Sequence, residues 1–314
     1  MRRLIVPVID LVLLGLGKVA HFLLWMFGWK SVFAGGHIAG SIVHRLNGRT
    51  RRETEEQIKR LFGDRFSDAE VSVIAKRSSE NYYERQAATF FFGSMSKPLL
   101  ERLMKVHGLE NLDAALSKGR GVILLLSHFG FFLLPLPFLG HRGYKVNQVT
   151  GKQLHANLFF ERFWTWRKNQ ADRLPVHYLQ VDSFLRPVFK ALANNEIVAI
   201  AFDGRDSQNW VIADLFRQKV RFSAGPFELA RRTGAAIIPT FVVREQTGKF
   251  KLVLEPELKL SDDSDRRGAL EKDTRHFTAI FARYLVEYPC HFGMILRKLG
   301  ASENAGDQNA FFVS

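Results

Sequence analysis

Two apolar runs of the sequence end in side chains that can exchange protons. The run "GVILLLS" leads into His128 and a turn through Gly130, and the run "EIVAIAF" leads into Asp203 and then Arg205. An imidazole can take a proton from a hydroxyl near neutral pH, and a carboxylate bonded to the ring can fix its orientation. Taken alone, a histidine after a strand is more often a packed loop residue than a catalyst, and the Asp203–Arg205 stretch is also compatible with a surface turn that holds an ion pair. The elements that carry these residues decide whether they form one site.

The chain beyond residue 120 predicts a sheet that could bring them together. Short runs rich in Val, Ile and Leu alternate with helical stretches: "GVILLLS", "KVNQV", "VHYL", "EIVAIAF", "AAIIPTFVV" and "KLVLE". Continuous apolar strands separated by helices predict an α/β fold with a mixed, mostly parallel sheet flanked by helices. Ligands bind at the carboxyl ends of strands in such sheets, which is where His128 and Asp203 stand.

A third stretch, "RFSAGPFELARRTGAAIIP", predicts a helix that begins beside the same edge. Gly225 precedes a proline at the first helical position, and the helix ends at Gly234 before the next strand. The free backbone N–H groups at a helix start can bind an anion, which makes Gly225 a candidate substrate contact. As an isolated motif it is an ordinary pair of helix start and stop signals.

The first thirty residues predict a membrane-anchoring helix. The segment begins with two arginines and is apolar except for a few residues that a helix would gather on one stripe: Asp10, Gly17, Lys18 and His21. Trp25 and Trp29 near its end suit a headgroup layer. Residues 1–60 carry ten Lys or Arg against four Asp or Glu, which favours an anionic, cytoplasmic membrane surface. The alternative is a core helix of a soluble protein.

Composition and pattern give the expected organisation. Residues 1–30 form the anchor, 31–119 a helical part with a capping box at Ser67 and Glu70, 120–300 the α/β core and 301–314 a tail. The single cysteine, Cys290, indicates a reducing compartment. A net charge of +14 indicates an anionic partner: a lipid surface, an acidic carrier protein or nucleic acid. No zinc spacing or RNA-binding motif supports nucleic acid, so we expect none.

In this order, the stretches resemble the bacterial family of lipid A late acyltransferases and lysophospholipid acyltransferases. The resemblance extends from the N-terminal anchor through "ENYYERQ", "GVILLLSHFG", "EIVAIAFDGRDS" and "GPFELARRTGAAIIP" to "YPCHFGMILRKL", a weakened form of the family's tryptophan-rich signature. It implies acyl transfer from a thioester, usually on acyl carrier protein, to a hydroxyl of a lipid or glycolipid. His128 would be the general base. Acyl carrier protein or coenzyme A would carry the co-substrate, with no further cofactor and no metal. The expected location is the cytoplasmic face of the inner membrane.

The sequence departs from the family motif at one position. The family has Asp or Glu five positions after the histidine, and here that position is Leu133. A base without its orienting acid loses much of its rate. Either the acid comes from elsewhere, with Asp203 favoured over Asp206 and Glu161, or the chain is a catalytically degenerate relative that binds lipids or an enzyme complex.

The remaining candidates concern substrate binding. Gly130 keeps the turn small, and Arg205 could hold a phosphate or stabilise the oxyanion of the reaction. Phe131 and Phe132 follow the histidine where an acyl chain would need a wall, although a helix packed in the core explains the same residues.

Overall fold

A seven-stranded sheet in the order β1-β9-β8-β2-β5-β3-β4 forms the centre of the molecule. The computed structural model describes residues 2–150, 161–180, 185–204, 207, 209–245, 247–304 and 310–313. The strands are β1 (Met104–His107), β2 (Val122–Leu126), β3 (Val146–Thr150), β4 (His177–Gln180), β5 (Ile197–Ala201), β6 (Trp210–Leu215), β7 (Gln218–Ser223), β8 (Ala236–Arg244) and β9 (Phe250–Leu254). Every pairing in the large sheet is parallel except β8 with β9. The expected fold class is therefore confirmed, and all six predicted strands are present.

Helices cover both faces of this sheet. They are α1 (Arg2–Leu46), α2 (Gly48–Phe62), α3 (Asp68–Phe90), α4 (Lys97–Leu103), α5 (Leu109–Leu116), α6 (Pro135–His141), α7 (Glu161–Ala171), α8 (Arg186–Ala193), α9 (Gly225–Thr233), α10 (Arg266–Glu287) and α11 (Gly293–Asn304). The central strand β2 is buried along its whole length: Ile123 and Leu125 enter one core cluster, and Leu124 and Leu126 the other. Alternate side chains of a strand point to opposite faces, so a run of aliphatic residues is what a doubly covered strand requires.

Two parts of the sheet structure were missed by the sequence patterns. β1 lies within the segment 31–119 that we expected to be helical. It is an edge strand of the large sheet and pairs in parallel with β9. β6 and β7 form a separate antiparallel hairpin. β1 and β7 carry polar residues at alternate positions, and strands of four to six residues with that composition give a weak signal. The capping box at Ser67 and Glu70, by contrast, begins α3 as expected.

Three of the four residues of the predicted polar stripe of α1, Asp10, Gly17 and His21, face the protein, whereas Lys18 is exposed. Asp10 is buried and accepts a hydrogen bond from the Arg162 N–H, and the His21 ring packs against Phe91 and Trp166. The apolar side chains point outward instead: Leu16, Phe22, Trp25 and Phe27 are all more than half exposed. Within the described residues, Ile9–Leu46 is a helix long and apolar enough to cross a membrane. Gly28 has a non-helical backbone conformation, with φ +69°, and bends the helix there. Beyond this bend the helix continues to Leu46.

The second half of α1 is locked against α3 by glycines and buried charges. Gly36 and Gly40 lie so close to the backbone of α3 that an added Cβ would come within 2.5 Å of the Cα atoms of Glu84 and Glu80. Glu84 also forms an ion pair with Arg244 at the end of β8. The close backbone approach and the Glu84–Arg244 ion pair together fix the position of the second half of α1 on α3.

We expect Gly36→Ala to destabilise this contact, whereas Gly35→Ala should not. The Gly36 methyl group meets the α3 backbone, which cannot move aside cheaply, and overpacking of this kind costs about 1–3 kcal/mol. Gly35 has no atom within 4 Å of its Cβ position, so alanine there gains helix propensity of up to about 1 kcal/mol. Urea unfolding of both variants in the same detergent measures the difference. Equal stability of the two variants would contradict the proposed close contact.

Candidate active site

The register of β2 and β5 brings His128 and Asp203 to the same point of the sheet edge. Leu126 pairs with Ala201 at the last step of this parallel ladder, and the Phe202 N–H donates to the Leu126 carbonyl at 2.8 Å. His128 and Asp203 each lie two residues beyond that last pair. Parallel strands keep their register as they leave the sheet, so the two side chains arrive opposite each other.

The Asp203 carboxylate holds both the backbone and the ring of His128. Its two oxygens accept the His128 backbone N–H at 3.1 and 2.9 Å, and Oδ1 lies 2.9 Å from the imidazole Nδ1. A carboxylate oxygen accepts, so Nδ1 carries the ring proton and Nε2 keeps its lone pair. Nε2 makes no hydrogen bond within the part of the chain that the structure describes. The result is an oriented imidazole with its basic nitrogen free.

The pair combines a buried acid with a reachable base. The Asp203 side chain is fully buried, whereas 39% of the His128 side chain remains exposed. Desolvation lowers the pKa of His128, but the charge of Asp203 and the hydrogen bond to it outweigh this effect. The pKa of His128 is therefore raised above its ordinary value of 6.5, and the positive charge of Arg85 partly opposes the rise. A base with these properties can take a proton from a hydroxyl near neutral pH.

Two backbone hydrogen bonds and a close approach to β8 fix the turn after His128. Gly130 has φ +58°, and a Cβ there would lie 1.9 Å from the Val242 carbonyl oxygen. Its N–H donates to the His291 carbonyl at 3.2 Å, and the Phe131 N–H donates to the Val242 carbonyl at 3.0 Å. The role expected of Gly130, to keep the turn small, has a physical basis, because L-residues are strained at this φ and a side chain would collide with β8.

Arg85 and His291 are site residues that the sequence patterns did not single out. Arg85 on α3 is buried and donates from Nη1 to the Gly130 carbonyl at 3.1 Å. His291 packs its ring 5.8 Å from that of Phe129, and its Nε2 accepts the Arg244 N–H at 3.3 Å. Burial lowers the pKa of His291 to about 4, so this ring is neutral near pH 7. Both residues belong to stretches that carried the family resemblance, "ENYYERQ" and "YPCHFGMILRKL", which was the one available signal.

The aromatic residues after the histidine separate into two environments. The Phe132 ring lies 4.9 Å from the His128 ring and is only partly buried. Phe131 points into the core, with its ring 4.7 Å from that of Phe250. Leu133, at the position of the missing acid, packs partly buried against the same core. Of these residues, Phe132 is the one beside the base.

The remaining predicted residues lie farther from the pair or outside the described part of the chain. The Gly225 N–H donates to the Ser223 Oγ at 3.2 Å, and Ser223 is tied to the Asp203 loop through its N–H to the Phe202 carbonyl. No hydrogen bond joins Gly225 to His128 or Asp203 among the described residues. Arg205, Asp206 and the side chain of Glu161 lie outside the part of the chain that the structure describes.

Comparison with known proteins identifies the family. A family model described as bacterial lipid A biosynthesis acyltransferase matches residues 3–300. The chain is 30% identical over 224 residues to a phosphatidylinositol mannoside acyltransferase of Mycobacterium tuberculosis (strain CDC 1551 / Oshkosh), covering 69% of this chain and 67% of the relative. It is 26% identical over 280 residues to a protein of the same name from Mycolicibacterium smegmatis, covering 85% and 88%. A lipid A biosynthesis acyltransferase of Haemophilus influenzae is 24% identical over 174 residues, covering 54% and 53%. The chain therefore belongs to the bacterial lipid A biosynthesis acyltransferase family and is an acyltransferase that acts on a lipid acceptor.

Proposed function

We propose that this protein transfers a fatty acyl group from acyl carrier protein to a hydroxyl of a glycolipid, with His128 as general base and Asp203 as the acid that orients it. The observation that carries the proposal is the bond between His128 Nδ1 and Asp203 Oδ1, which leaves Nε2 available. It supplies a carboxylate from β5 where the turn itself has Leu133. The proposal of a degenerate, purely binding relative has no comparable support.

The proposed reaction is a direct displacement at the thioester carbonyl. The acceptor oxygen bonds to the carbonyl carbon as its proton passes to Nε2 of His128, which becomes an imidazolium stabilised by Asp203. When the tetrahedral intermediate collapses, the C–S bond breaks and the imidazolium gives its proton to the departing sulfur. The products are an ester and a free thiol. Arg205 remains a candidate for stabilising the oxyanion of the intermediate or holding a phosphate of either substrate.

The acceptor and donor classes rest on two different supports. Two of the relatives are named for phosphatidylinositol mannoside, a glycolipid, which favours a sugar hydroxyl on a lipid anchor as the acceptor. The donor proposal rests on charge, since a chain of net charge +14 attracts an acidic carrier protein more strongly than a neutral one. Coenzyme A thioesters are the alternative donor.

We also propose that α1 attaches the enzyme to anionic lipids at the cytoplasmic face of the inner membrane. Asp10 and His21 are covered by the protein, so the described outward face of α1 before Gly28 is apolar apart from Lys18, and Trp25 is 79% exposed on it. Exposed apolar area of this extent on a helix is stabilised by lipid rather than by water. The basic residues on either side of Gly28 add attraction to anionic headgroups.

The purified full-length chain tests the reaction. It should be incubated with radiolabelled acyl carrier protein or acyl coenzyme A and with total bacterial glycolipid in mixed micelles. We expect a labelled lipid whose label is released by mild alkali, as an ester requires, and faster labelling from the carrier protein. Absence of labelled lipid with either donor would contradict the proposed activity and favour the binding protein.

Removal of residues 1–28 tests the anchor. We expect the truncated chain to stay at the bottom of a sucrose gradient while the full chain floats with vesicles that contain anionic phospholipid. A second variant, Trp25→Ser with Phe22→Ser, removes exposed apolar area without deleting the helix and should weaken flotation. Undiminished flotation of the truncated chain would show that another surface binds the membrane.

A further inference from the structure

Arg85 is a buried cation that pairs with no carboxylate among the residues the structure describes. Its residue exposure is 8%, and none of the described Asp or Glu side chains lies within ion-pair distance of its guanidinium. It instead donates to the Gly130 carbonyl and lies 5.3 Å from the Tyr82 ring centroid. Burying a charge with so few partners costs free energy of folding, which indicates that Arg85 has a function at this position.

The contacts of Arg85 converge on the turn that carries His128. The guanidinium carbon lies 5.5 Å from the centroid of Phe132, whose ring contacts the His128 ring at 4.9 Å. One side chain on α3 therefore touches the turn at two points, the Gly130 carbonyl and the Phe132 ring. Both points lie within four residues of the imidazole.

We propose that Arg85 is a positioning residue for His128. Through the Gly130 carbonyl and the Phe132 ring it holds the turn against α3, and its positive charge opposes protonation of the imidazole. This inference rests on the proposed role of His128 and adds a second residue that sets its state.

The electrostatic part follows from the groups around the ring. Asp203, beyond β5, and Arg85, from α3, are the charged groups of the described elements that act on the His128 ring, and they act in opposite directions. His291, in the segment before α11, packs its ring against Phe129 and is neutral near pH 7. Burial lowers the pKa of Arg85 to about 10, so Arg85 keeps its charge at the pH of the reaction. Asp203 alone would favour the imidazolium in the resting enzyme, and Arg85 limits this.

Three substitutions separate the charge from the hydrogen bond. Arg85→Lys keeps the charge, Arg85→Gln keeps an N–H donor without charge, and Arg85→Met keeps neither. Arg77→Met is the matched control, because Arg77 lies on the same helix but is exposed. The pKa of His128 is read directly by NMR of the full chain labelled at histidine Cε1, with the His128 signal identified by its loss in His128→Gln.

We expect the His128 pKa to rise by about 0.5–1 unit in Arg85→Met and Arg85→Gln and to stay near the wild-type value in Arg85→Lys and Arg77→Met. The acid limb of kcat/KM should move to higher pH by the same amount in the first two variants. At high pH, where His128 is neutral in every variant, kcat of Arg85→Met should remain about tenfold below that of wild type because the turn is no longer held.

An unchanged His128 titration in folded Arg85→Met and Arg85→Gln would overturn the electrostatic role. Wild-type kcat at high pH in Arg85→Met would overturn the positioning role. Because the NMR titration does not depend on turnover, it distinguishes failure of this inference from failure of the proposed function, in which the wild-type chain itself forms no acylated lipid. Circular dichroism of each variant confirms that the comparison concerns folded protein.

Discussion

Replacement of His128 by glutamine is expected to reduce acyl transfer by a factor of about 10²–10⁴ and to leave the fold intact. Glutamine fills similar space and can still donate to the buried Asp203 carboxylate, but it cannot accept a proton from an attacking hydroxyl. The loss should appear in kcat, since a proton acceptor matters most in the transition state. Initial rates of labelled lipid formation at saturating donor and acceptor measure it.

The matched control for this substitution is His276→Gln, because His276 is exposed on α10. It should keep the wild-type rate. Unfolding curves of both variants should lie close to that of wild type. A His128→Gln enzyme that retains rates within about threefold of wild type would remove His128 from the mechanism, since general base catalysis contributes far more than that.

Asp203→Asn should slow acyl transfer almost as much as His128→Gln does. It should also move the acid limb of the pH profile to lower pH. The amide can keep one hydrogen bond to the His128 backbone N–H, but its NH₂ group would donate to Nδ1 and leave the ring proton on Nε2, where the lone pair is needed. By analogy with other oriented histidines, we expect a loss of about 10²–10⁴-fold in kcat.

The pH profile of Asp203→Asn provides an independent measurement. Asp203 raises the pKa of His128, and only the neutral ring accepts a proton, so kcat/KM of wild type should fall as the pH drops through a value above 6.5. Without the carboxylate the imidazolium loses its stabilisation, and the limb should move to lower pH. A limb at the wild-type position, or unchanged turnover, would show that Asp203 does not act on His128 during the reaction.

The sequence predicted much of the sheet because its central strands are buried on both faces. Runs such as "VILLL" in β2 and "IVAIA" in β5 are apolar on both faces of the strand and therefore predict strands covered on both faces. The carboxyl ends of parallel strands meet at one edge of the sheet. This topology was enough to expect Asp203 near His128 despite Leu133. The hydrogen bond itself depends on a register, Leu126 opposite Ala201, that composition does not encode.

Other features of the site depend on long-range packing and were not predictable from local pattern. Arg85 has no neighbour in sequence that reveals it will meet Gly130, 45 residues later in the chain. His291 reaches the same turn through its backbone carbonyl, an atom every residue has. The helical period of α1 grouped Asp10, Gly17, Lys18 and His21, but Lys18 is exposed. Which side of α1 faces the protein is decided by its packing against α3 and α7, and the period of one helix does not encode that packing.

The acid and the base follow two different strands, so the Asp203–His128 contact forms only when β2 and β5 pair in the correct register. A slip of one residue along this seam would send Asp203 to the opposite face of the sheet and leave Phe202 or Gly204 facing the imidazole. It would also take Phe202 away from the aromatic rings it packs against. Such a misaligned chain would lack the His128–Asp203 pair and would be inert. The fraction of purified molecules that can turn over is therefore also a measure of how faithfully these two strands pair during folding.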